Sequence, residues 1–349
     1  MSRRSQHQRI LVVRTDRIGD VVLATPLIRA LRQTYPSASI AVMVRPYTSA
    51  VLEQNPSIDE IILDDPDNEH RGKEGFWKQV GELRKRQFDT ALLLLPTERA
   101  AWMLFWAGIH TRIGVGHKLY ELLTLMRTVS RHRYIPLRHE ADYCLDLGRA
   151  IGVRTNDLTT EIFISGEERT QAANYLKTLG VDFNKPIIGI NPGSGHSSPN
   201  WPVETYAAFT VELLRRYDAT AVISGTEHEI VDVFRSLNSR TIVPLPQLPL
   251  RQFIGVISQY HCLFSASTGP MHIAAALKIP TLSLFCPLPA CSPQLWGPQG
   301  NTARIVVAPD SACQRSCEKD PHICTLQDID PSVVLDHFET LNRRASTVG

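Results

Sequence analysis

The chain has 349 residues, of which 43% are hydrophobic and 21% are charged, and its formal net charge is +2. A charge this close to zero argues against a dedicated nucleic-acid-binding protein, and the length suits two α/β domains. The sequence contains neither an apolar run long enough to span a membrane nor the apolar core and cleavage site of a signal peptide, so we expect a cytoplasmic protein.

The first half alternates short apolar runs with helical stripes. Strands are predicted at 10–13, 40–44, 61–63 and 90–95, and helices along the stripe 23–31 and at 48–54, 76–86 and 100–107. Continuous apolar strands are typical of a parallel sheet covered on both faces. The aromatic residues of the helix at 100–107 favour core packing, but a surface that touches a lipid or a membrane stays open.

A second series of strands and helices follows a polar stretch at 165–170. Strands are predicted at 187–190, 219–224, 262–265 and 281–285, and helices at 205–217, 230–237 and 271–277. Repeated β-α units indicate doubly wound parallel sheets. The predicted fold class is therefore α/β, with two Rossmann-like domains at 1–165 and 166–349.

The first chemical motif is Arg14-Thr-Asp-Arg-Ile-Gly-Asp20, directly after the first strand. Ligands of α/β sheets bind beyond the carboxyl ends of strands, but the dinucleotide fingerprint GxGxxG is absent here. Asp20 opens a helix, so it is either a helix N-cap or a carboxylate that takes a proton from an acceptor hydroxyl.

Two loops in the second half have the composition of phosphate-binding loops. Asn191-Pro-Gly-Ser-Gly195 follows a strand, and its glycines and serine are compatible with either a plain turn or a phosphate cradle. Ser265-Ala-Ser-Thr-Gly-Pro-Met-His272 joins a strand to a helix, whose first N–H groups at Thr268 and Gly269 would hold a diphosphate. His272 is equally compatible with a structural role. Because both loops fall in the second half, we expect that half to bind a nucleotide and the first half to bind an acceptor.

Seven cysteines, an odd number in a large chain, favour reduced thiols over a disulfide framework. The spacing of Cys313, Cys317 and Cys324 is not a standard zinc signature, so free structural thiols are favoured. A metal site formed by these three residues with Cys291 is the less favoured alternative.

Several ordered motifs together resemble the ADP-heptose:lipopolysaccharide heptosyltransferases, glycosyltransferase family nine, over nearly the whole chain. They are RILVVRTDRIGDVVLATPLIRALR, Arg112-Ile-Gly114, His139-Glu-x-Asp, the N-P-G-x-G loop, Trp201-Pro202 and TGPMHIAAAL. The resemblance implies the GT-B fold, with two Rossmann-like domains facing a central cleft in which the sugar donor binds.

The resemblance also implies roles for individual residues. Asp20 would be the catalytic base, and the donor would be bound by Ser194, Gly195, Ser267, Thr268, Gly269 and His272. Either Glu227 or Glu229 would meet the nucleoside. Arg14, Arg17 and Arg45 would meet the anionic groups of the acceptor.

Two departures from the family pattern concern the donor site. Pro199 stands where many members have a phosphate-binding Lys, and Ser267 stands where many have Asp. The segment after Phe285 also differs from the usual Gly-Pro-Thr-Asp-Pro. These departures leave the fold prediction intact but leave the identity of the donor open.

The resulting hypothesis is an inverting, metal-independent glycosyltransferase without a cofactor, which moves heptose from ADP-heptose to a lipopolysaccharide-core acceptor, with possible peripheral contact with the inner membrane. One alternative keeps the fold with another sugar donor or a protein acceptor. A second alternative is a non-catalytic binding or assembly protein.

Overall fold

The computed structural model describes residues 7–116, 118–130, 135–195, 198–225, 228–310 and 324–345. The chain divides into two compact units, Met1–Phe163 and Ile164–Gly349, whereas the sequence placed the boundary after residue 165. Each unit is built around its own parallel sheet of six strands.

The sheet of unit 1 has the order β3-β2-β1-β4-β5-β6. Its strands are β1 (Arg9–Val13), β2 (Ser39–Val44), β3 (Glu60–Leu63), β4 (Thr90–Leu93), β5 (Thr111–Val115) and β6 (Arg127–Val129). Strands β1 and β4 are almost wholly buried because helices cover both faces of the sheet.

The helices of unit 1 are α1 (Ile18–Leu23), α2 (Thr25–Thr34), α3 (Gly72–Lys85), α4 (Glu98–Trp106), α5 (Leu119–Leu123) and α6 (Glu140–Arg149). The stripe predicted as one helix at 23–31 belongs to two helices. Pro26 has no N–H to donate to the carbonyl of Val22, four residues earlier, and the Thr25 hydroxyl donates to that carbonyl instead at 2.7 Å. The predicted helix at 48–54 is a 3-10 helix, Pro46–Val51.

The sheet of unit 2 has the order β12-β11-β10-β7-β8-β9. Its strands are β7 (Ile187–Asn191), β8 (Thr220–Ile223), β9 (Ile242–Pro244), β10 (Cys262–Ala266), β11 (Thr281–Phe285) and β12 (Ala303–Val307). Its α-helices are α7 (Gly166–Thr178), α8 (Val203–Arg216), α9 (His228–Ser236), α10 (Leu250–Ile257), α11 (Gly269–Ala276), α12 (Pro293–Trp296) and α13 (Pro331–Ala345), with a 3-10 helix at Pro289–Cys291.

Both sheets have the same topology. The order of the strands reverses between β1 and β4 in unit 1, and between β7 and β10 in unit 2. These are the switch points at which doubly wound sheets bind ligands, beyond the carboxyl ends of the strands. The predicted fold class, two Rossmann-like α/β units, is confirmed.

Helix α4 packs on the core of unit 1 through its small and aliphatic residues. The prediction that its aromatic residues form the core is wrong, because Trp102 and Phe105 are only half-buried. Ala100, Ala101, Met103 and Leu104 are buried, whereas Trp106 on the opposite face is 43% exposed. Within the part of the chain that the structure describes, no helix has both the length and the apolarity to cross a membrane.

Candidate active site

Arg14 lies at the carboxyl end of β1, at the switch point of unit 1, and its side chain is buried. Its Nε lies 2.9 Å from Asp16 Oδ1, its Nη2 donates to Asp20 Oδ1 at 2.6 Å, and its Nη1 donates to Glu140 Oε1 at 3.1 Å. One cation thus holds three carboxylates at the edge of the sheet where a ligand is expected. We call these four residues the carboxylate cluster.

Asp20 is the third residue of α1, and Arg17 is the N-cap of that helix. The interpretation of Asp20 as a helix N-cap is therefore wrong. The Asp20 side chain is 17% exposed, and within the described chain only its Oδ1 accepts a hydrogen bond, from Arg14. The carboxylate is held by a buried cation and stays accessible, which is compatible with the predicted general-base role; that role stays a prediction.

Burial and the neighbouring charges shift the pKa values of Arg14 and Asp16 in opposite directions. Burial disfavours the charged form of Arg14, but the acidic groups around it outweigh this effect and hold its pKa well above the ordinary value. Burial raises the pKa of Asp16 to about 7, against the opposing effect of Arg14. Asp16 therefore exchanges a proton near neutral pH.

The surroundings of Arg14 differ from those that its predicted acceptor-binding role requires. Its side chain is only 3% exposed, and its charge is already balanced by the three carboxylates. An anionic acceptor would have to displace one of them. We therefore interpret Arg14 as a residue that positions Asp20.

Asp16 and Glu140 are members of the cluster that the sequence interpretation did not select. Glu140 is the first residue of α6 and is 1% exposed, and the His139 side chain caps this helix by accepting from the N–H of Ala141. Gly148 lets α6 approach α2, since an added Cβ would lie 2.6 Å from a methyl group of Leu27. In the sequence, the His139-Glu-x-Asp motif was the feature that could have drawn attention to Glu140.

Arg17 and Arg45 occupy more accessible positions. Arg17 is exposed, and Arg45 follows β2 and forms an ion pair with the exposed Asp67. The Tyr47 hydroxyl, close by in the chain, donates to the carbonyl of Asp16 at 2.8 Å and ties the 3-10 helix to the cluster. The role predicted for Arg17 and Arg45, binding of the acceptor, stays a proposal.

The Asn191–Gly195 loop of unit 2 leaves the carboxyl end of β7 at the switch point. Asn191 Nδ2 donates to the carbonyl of Gly193 at 2.6 Å, and the Ser224 hydroxyl donates to Asn191 Oδ1 at 2.9 Å. Ser194 is half-buried, whereas Gly195 is exposed with a φ of 51°, which favours glycine. Hydrogen bonds thus hold the base of the loop at Asn191, whereas Gly195 at its tip is exposed to solvent.

The second loop leaves β10, which pairs with β7 so that Ser265 lies opposite Asn191. Thr268 is the N-cap of α11, but its hydroxyl makes no cap hydrogen bond, and its buried Oγ1 has no partner among the described residues. Gly269 begins the helix, and His272 in its first turn is 5% exposed, so His272 is not a surface histidine. The two phosphate-type loops therefore lie side by side at one sheet edge.

The structure describes only some of the remaining residues of the predicted donor site. Ser267 is half-buried directly before Thr268, and Pro199 is buried. Glu227 lies outside the described residues, as does the side chain of Glu229 in α9.

The cysteines suggested as a metal site are also described only in part. Cys291 and Cys324 pack against the apolar core of unit 2, whereas Cys313 and Cys317 lie outside the described residues. Across the described ranges, no cluster of three or more His, Cys, Asp or Glu side chains could hold a metal ion.

Curated relatives match almost the whole chain. A lipopolysaccharide heptosyltransferase 2 of Escherichia coli is 26% identical over 95% of this chain and 98% of its own length. A lipooligosaccharide heptosyltransferase 2 of Haemophilus ducreyi is also 26% identical, over 95% of this chain and 99% of its own.

Solved structures share the fold over a similar length. A family 9 glycosyl transferase of Veillonella parvula has a TM-score of 0.82 at 24% identity and covers 96% of this chain and 97% of its own. The E. coli ADP-heptose lps heptosyltransferase II has a TM-score of 0.77 at 23% identity and covers 97% of this chain and 100% of its own. These likenesses confirm the predicted GT-B fold.

The family model described as glycosyltransferase family 9 (heptosyltransferase) matches residues 76–324, which is more than half of the chain. The two switch points lie beyond the carboxyl ends of the strands, where doubly wound sheets bind ligands. The protein is therefore a glycosyltransferase, and it belongs to family 9, the heptosyltransferases.

Proposed function

We propose that the protein transfers heptose from ADP-heptose to an anionic lipopolysaccharide-core acceptor by an inverting single displacement, at the inner face of the inner membrane. The observation that carries the mechanism is the accessible Asp20 carboxylate, oriented by the buried Arg14 at a switch point. The similarity to the E. coli and H. ducreyi heptosyltransferases supports the class of donor and acceptor.

In this mechanism, unit 1 handles the acceptor. Asp20 removes the proton from an acceptor hydroxyl, and the oxygen attacks the anomeric carbon as the bond to the diphosphate breaks. Arg14 and Glu140 fix the orientation of the Asp20 carboxylate through the ion pairs already described. Arg17 and Arg45 attract the anionic groups of the acceptor.

Unit 2 holds the donor and stabilises the leaving ADP. The N-terminus of α11 directs its partial positive charge and the free Thr268 hydroxyl toward a bound diphosphate, and the Ser194–Gly195 tip supplies further backbone N–H groups. His272 adds a donor in the first turn. Charge that develops on the diphosphate is thereby stabilised without a metal ion, an electrostatic role of the oxyanion-hole kind.

A second candidate function keeps the fold and changes the donor or the acceptor. It is favoured by Pro199 and Ser267, since neither supplies the charged group that many family members have at that position. A buried charge-assisted hydrogen bond contributes about 1.5–3 kcal/mol, so the loss of a lysine contact would weaken the binding of ADP-heptose.

Calorimetric titration of the protein with ADP-heptose in the presence of EDTA tests the donor and the metal independence together. We expect binding that His272→Ala weakens at least about tenfold, equivalent to about 1.4 kcal/mol. His337→Ala, a change in the half-buried part of α13, should leave the affinity unchanged.

Three outcomes of this titration are informative. A folded protein that binds another nucleotide sugar instead would establish the second candidate function. A requirement for added divalent metal would contradict the metal-independent mechanism. A folded protein that binds no nucleotide sugar would favour a non-catalytic binding role.

A further inference from the structure

A group of exposed leucines lies around α5 in unit 1. Leu119 is 72% exposed, Leu122 is 72%, Leu123 is 54% and Leu125 is 73%. We call these four side chains the leucine patch. Single exposed apolar residues are ordinary on a protein surface, but four within seven positions concentrate exposed apolar surface in one short segment, as at interaction sites.

Hydrogen bonds hold the segment that carries the leucine patch in place. The N–H of Lys118 donates to Glu121 Oε2 at 2.7 Å, and the Tyr120 hydroxyl donates to the carbonyl of Pro96 at 2.6 Å. Arg112 donates through Nε and Nη2 to the carbonyl of Thr124, at 3.1 and 2.8 Å. The leucines are therefore displayed by an ordered segment and do not belong to a fraying loop.

Leu125 shows that this display has a conformational cost. Its φ is 53°, in the left-handed region that glycine or asparagine adopts far more readily than leucine. A side chain that is 73% exposed gains little from packing in return. A leucine at this position is understandable if the exposed side chain meets an apolar partner.

The exposed charged residues that flank the patch in the chain are basic, and the exposed Glu98 of the neighbouring helix α4 lies near Tyr120. Lys118 and Arg127 flank the leucines and are exposed. The one acidic residue between them, Glu121, is 1% exposed and faces inward. An apolar surface with exposed cations and no exposed carboxylate between them complements the surface of a membrane that contains anionic lipids.

We propose that the leucine patch inserts into the interfacial region of an anionic phospholipid bilayer, with Lys118 and Arg127 facing its headgroups. This surface deepens the proposed function, because an acceptor carried by a lipid would be met at the same membrane. It nevertheless rests on the geometry of unit 1 alone. A failure of heptosyl transfer would leave it standing, because its test needs neither donor nor acceptor.

The test is co-sedimentation of the full-length protein with vesicles of phosphatidylcholine, with and without added phosphatidylglycerol. We expect binding to the anionic vesicles, reduced at least about tenfold by the double variant Leu122→Ser/Leu123→Ser. Val211→Ser/Val333→Ser removes two exposed apolar side chains from unit 2 and should bind like the wild type. Lys118→Glu/Arg127→Glu should lose the preference for anionic vesicles.

Leu125→Asn gives a second readout that a misfolded variant could not imitate. Asparagine fits the left-handed backbone better, so we expect the melting temperature to rise while vesicle binding falls. Wild-type protein that ignores both kinds of vesicle, or a leucine-patch variant that binds as well as the wild type, would overturn the proposal. A concentration-dependent dimer that the variant abolishes, without vesicle binding, would assign the patch to a second copy of the chain.

Discussion

At the scale of single residues, the carboxylate cluster is the central feature of unit 1. One buried guanidinium holds three carboxylates, so the acidic groups outnumber the cation in a poorly hydrated site. The imbalance is relieved at Asp16, whose pKa is raised by burial to about 7. The cluster thus keeps Asp20 oriented while a neighbouring carboxyl takes up the excess charge as a proton.

Asp16→Asn should change how stability depends on pH. Between about pH 4 and pH 7 the folded wild type keeps a proton on Asp16 that the unfolded chain has lost, so its free energy of unfolding falls as the pH rises. The variant carries no such charge. We expect the variant to gain about 1–3 kcal/mol of stability relative to the wild type between pH 5 and pH 8, measured by urea denaturation.

The opposite result, with Asp16→Asn losing stability relative to the wild type between pH 5 and pH 8, would mean that the ion pair with Arg14 outweighs the burial of the carboxylate. Asp64→Asn gives a comparison outside the cluster, and we expect its stability relative to the wild type to change with pH in the same direction. Asp64 is also buried and paired with an arginine, Arg99, and burial raises its pKa as well, but it lies outside the cluster.

Glu140→Gln should separate positioning from binding. Without the Glu140 charge the Arg14 guanidinium is held less firmly against Asp20, so we expect kcat to fall about tenfold while the donor affinity stays within about twofold. Glu161→Gln, which breaks a comparable ion pair of 2.7 Å with Arg29 elsewhere in unit 1, should leave kcat unchanged. Equal effects of the two variants would reduce Glu140 to a structural role.

Only part of this cluster could be inferred from the sequence. Asp20 stands out because it follows a strand and opens a helix, and both features are local. Glu140 lies 126 positions from Arg14, and nothing local indicates that α6 brings it to the same guanidinium. Arg14 was assigned to the acceptor because the sequence shows a charge without showing that the charge is buried and balanced.

At the scale of elements, most of the predicted strands are buried on both faces, but the partly exposed β3 was also predicted and the buried β5 was missed. Strand β11 matches its prediction at both ends, and β1 and β7 differ by one residue. The short outer strands β6 and β9 have three residues each, too few to show a period. The single helix expected along Leu23, Leu27 and Leu31 failed because Pro26 interrupts the hydrogen bonds but not the apolar stripe.

Gly189 in β7 shows how closely the sheet of unit 2 is packed. A Cβ at this position would lie 2.3 Å from the ring of Tyr260, which is itself buried. Gly189→Ala should therefore destabilise the protein by about 1–3 kcal/mol in thermal or urea unfolding. Gly81→Ala, in the middle of α3 with open space around it, should stabilise it by about 0.5–1 kcal/mol. If Gly189→Ala left the free energy of unfolding unchanged, the ring of Tyr260 would have to move aside at little cost.

At the scale of the whole molecule, the chain uses one topology twice. Repeated β-α units were enough to predict two doubly wound sheets, because a parallel strand order requires a crossover helix at every step. The order within each sheet, and with it the two switch points, emerged only from the structure. The proposed base and the groups proposed to position it lie at one switch point, and the phosphate-type loops lie at the other.

The most direct test of this account is the rate of heptosyl transfer by Asp20→Asn, with ADP-heptose and an inner-core lipopolysaccharide acceptor. General-base catalysis contributes about 100-fold or more, so we predict a loss of kcat of at least that size with unchanged donor affinity. Asp64→Asn should transfer heptose normally, and the anomeric configuration of the wild-type product should be inverted. Wild-type rates from an Asp20→Asn protein that binds the donor would contradict the account.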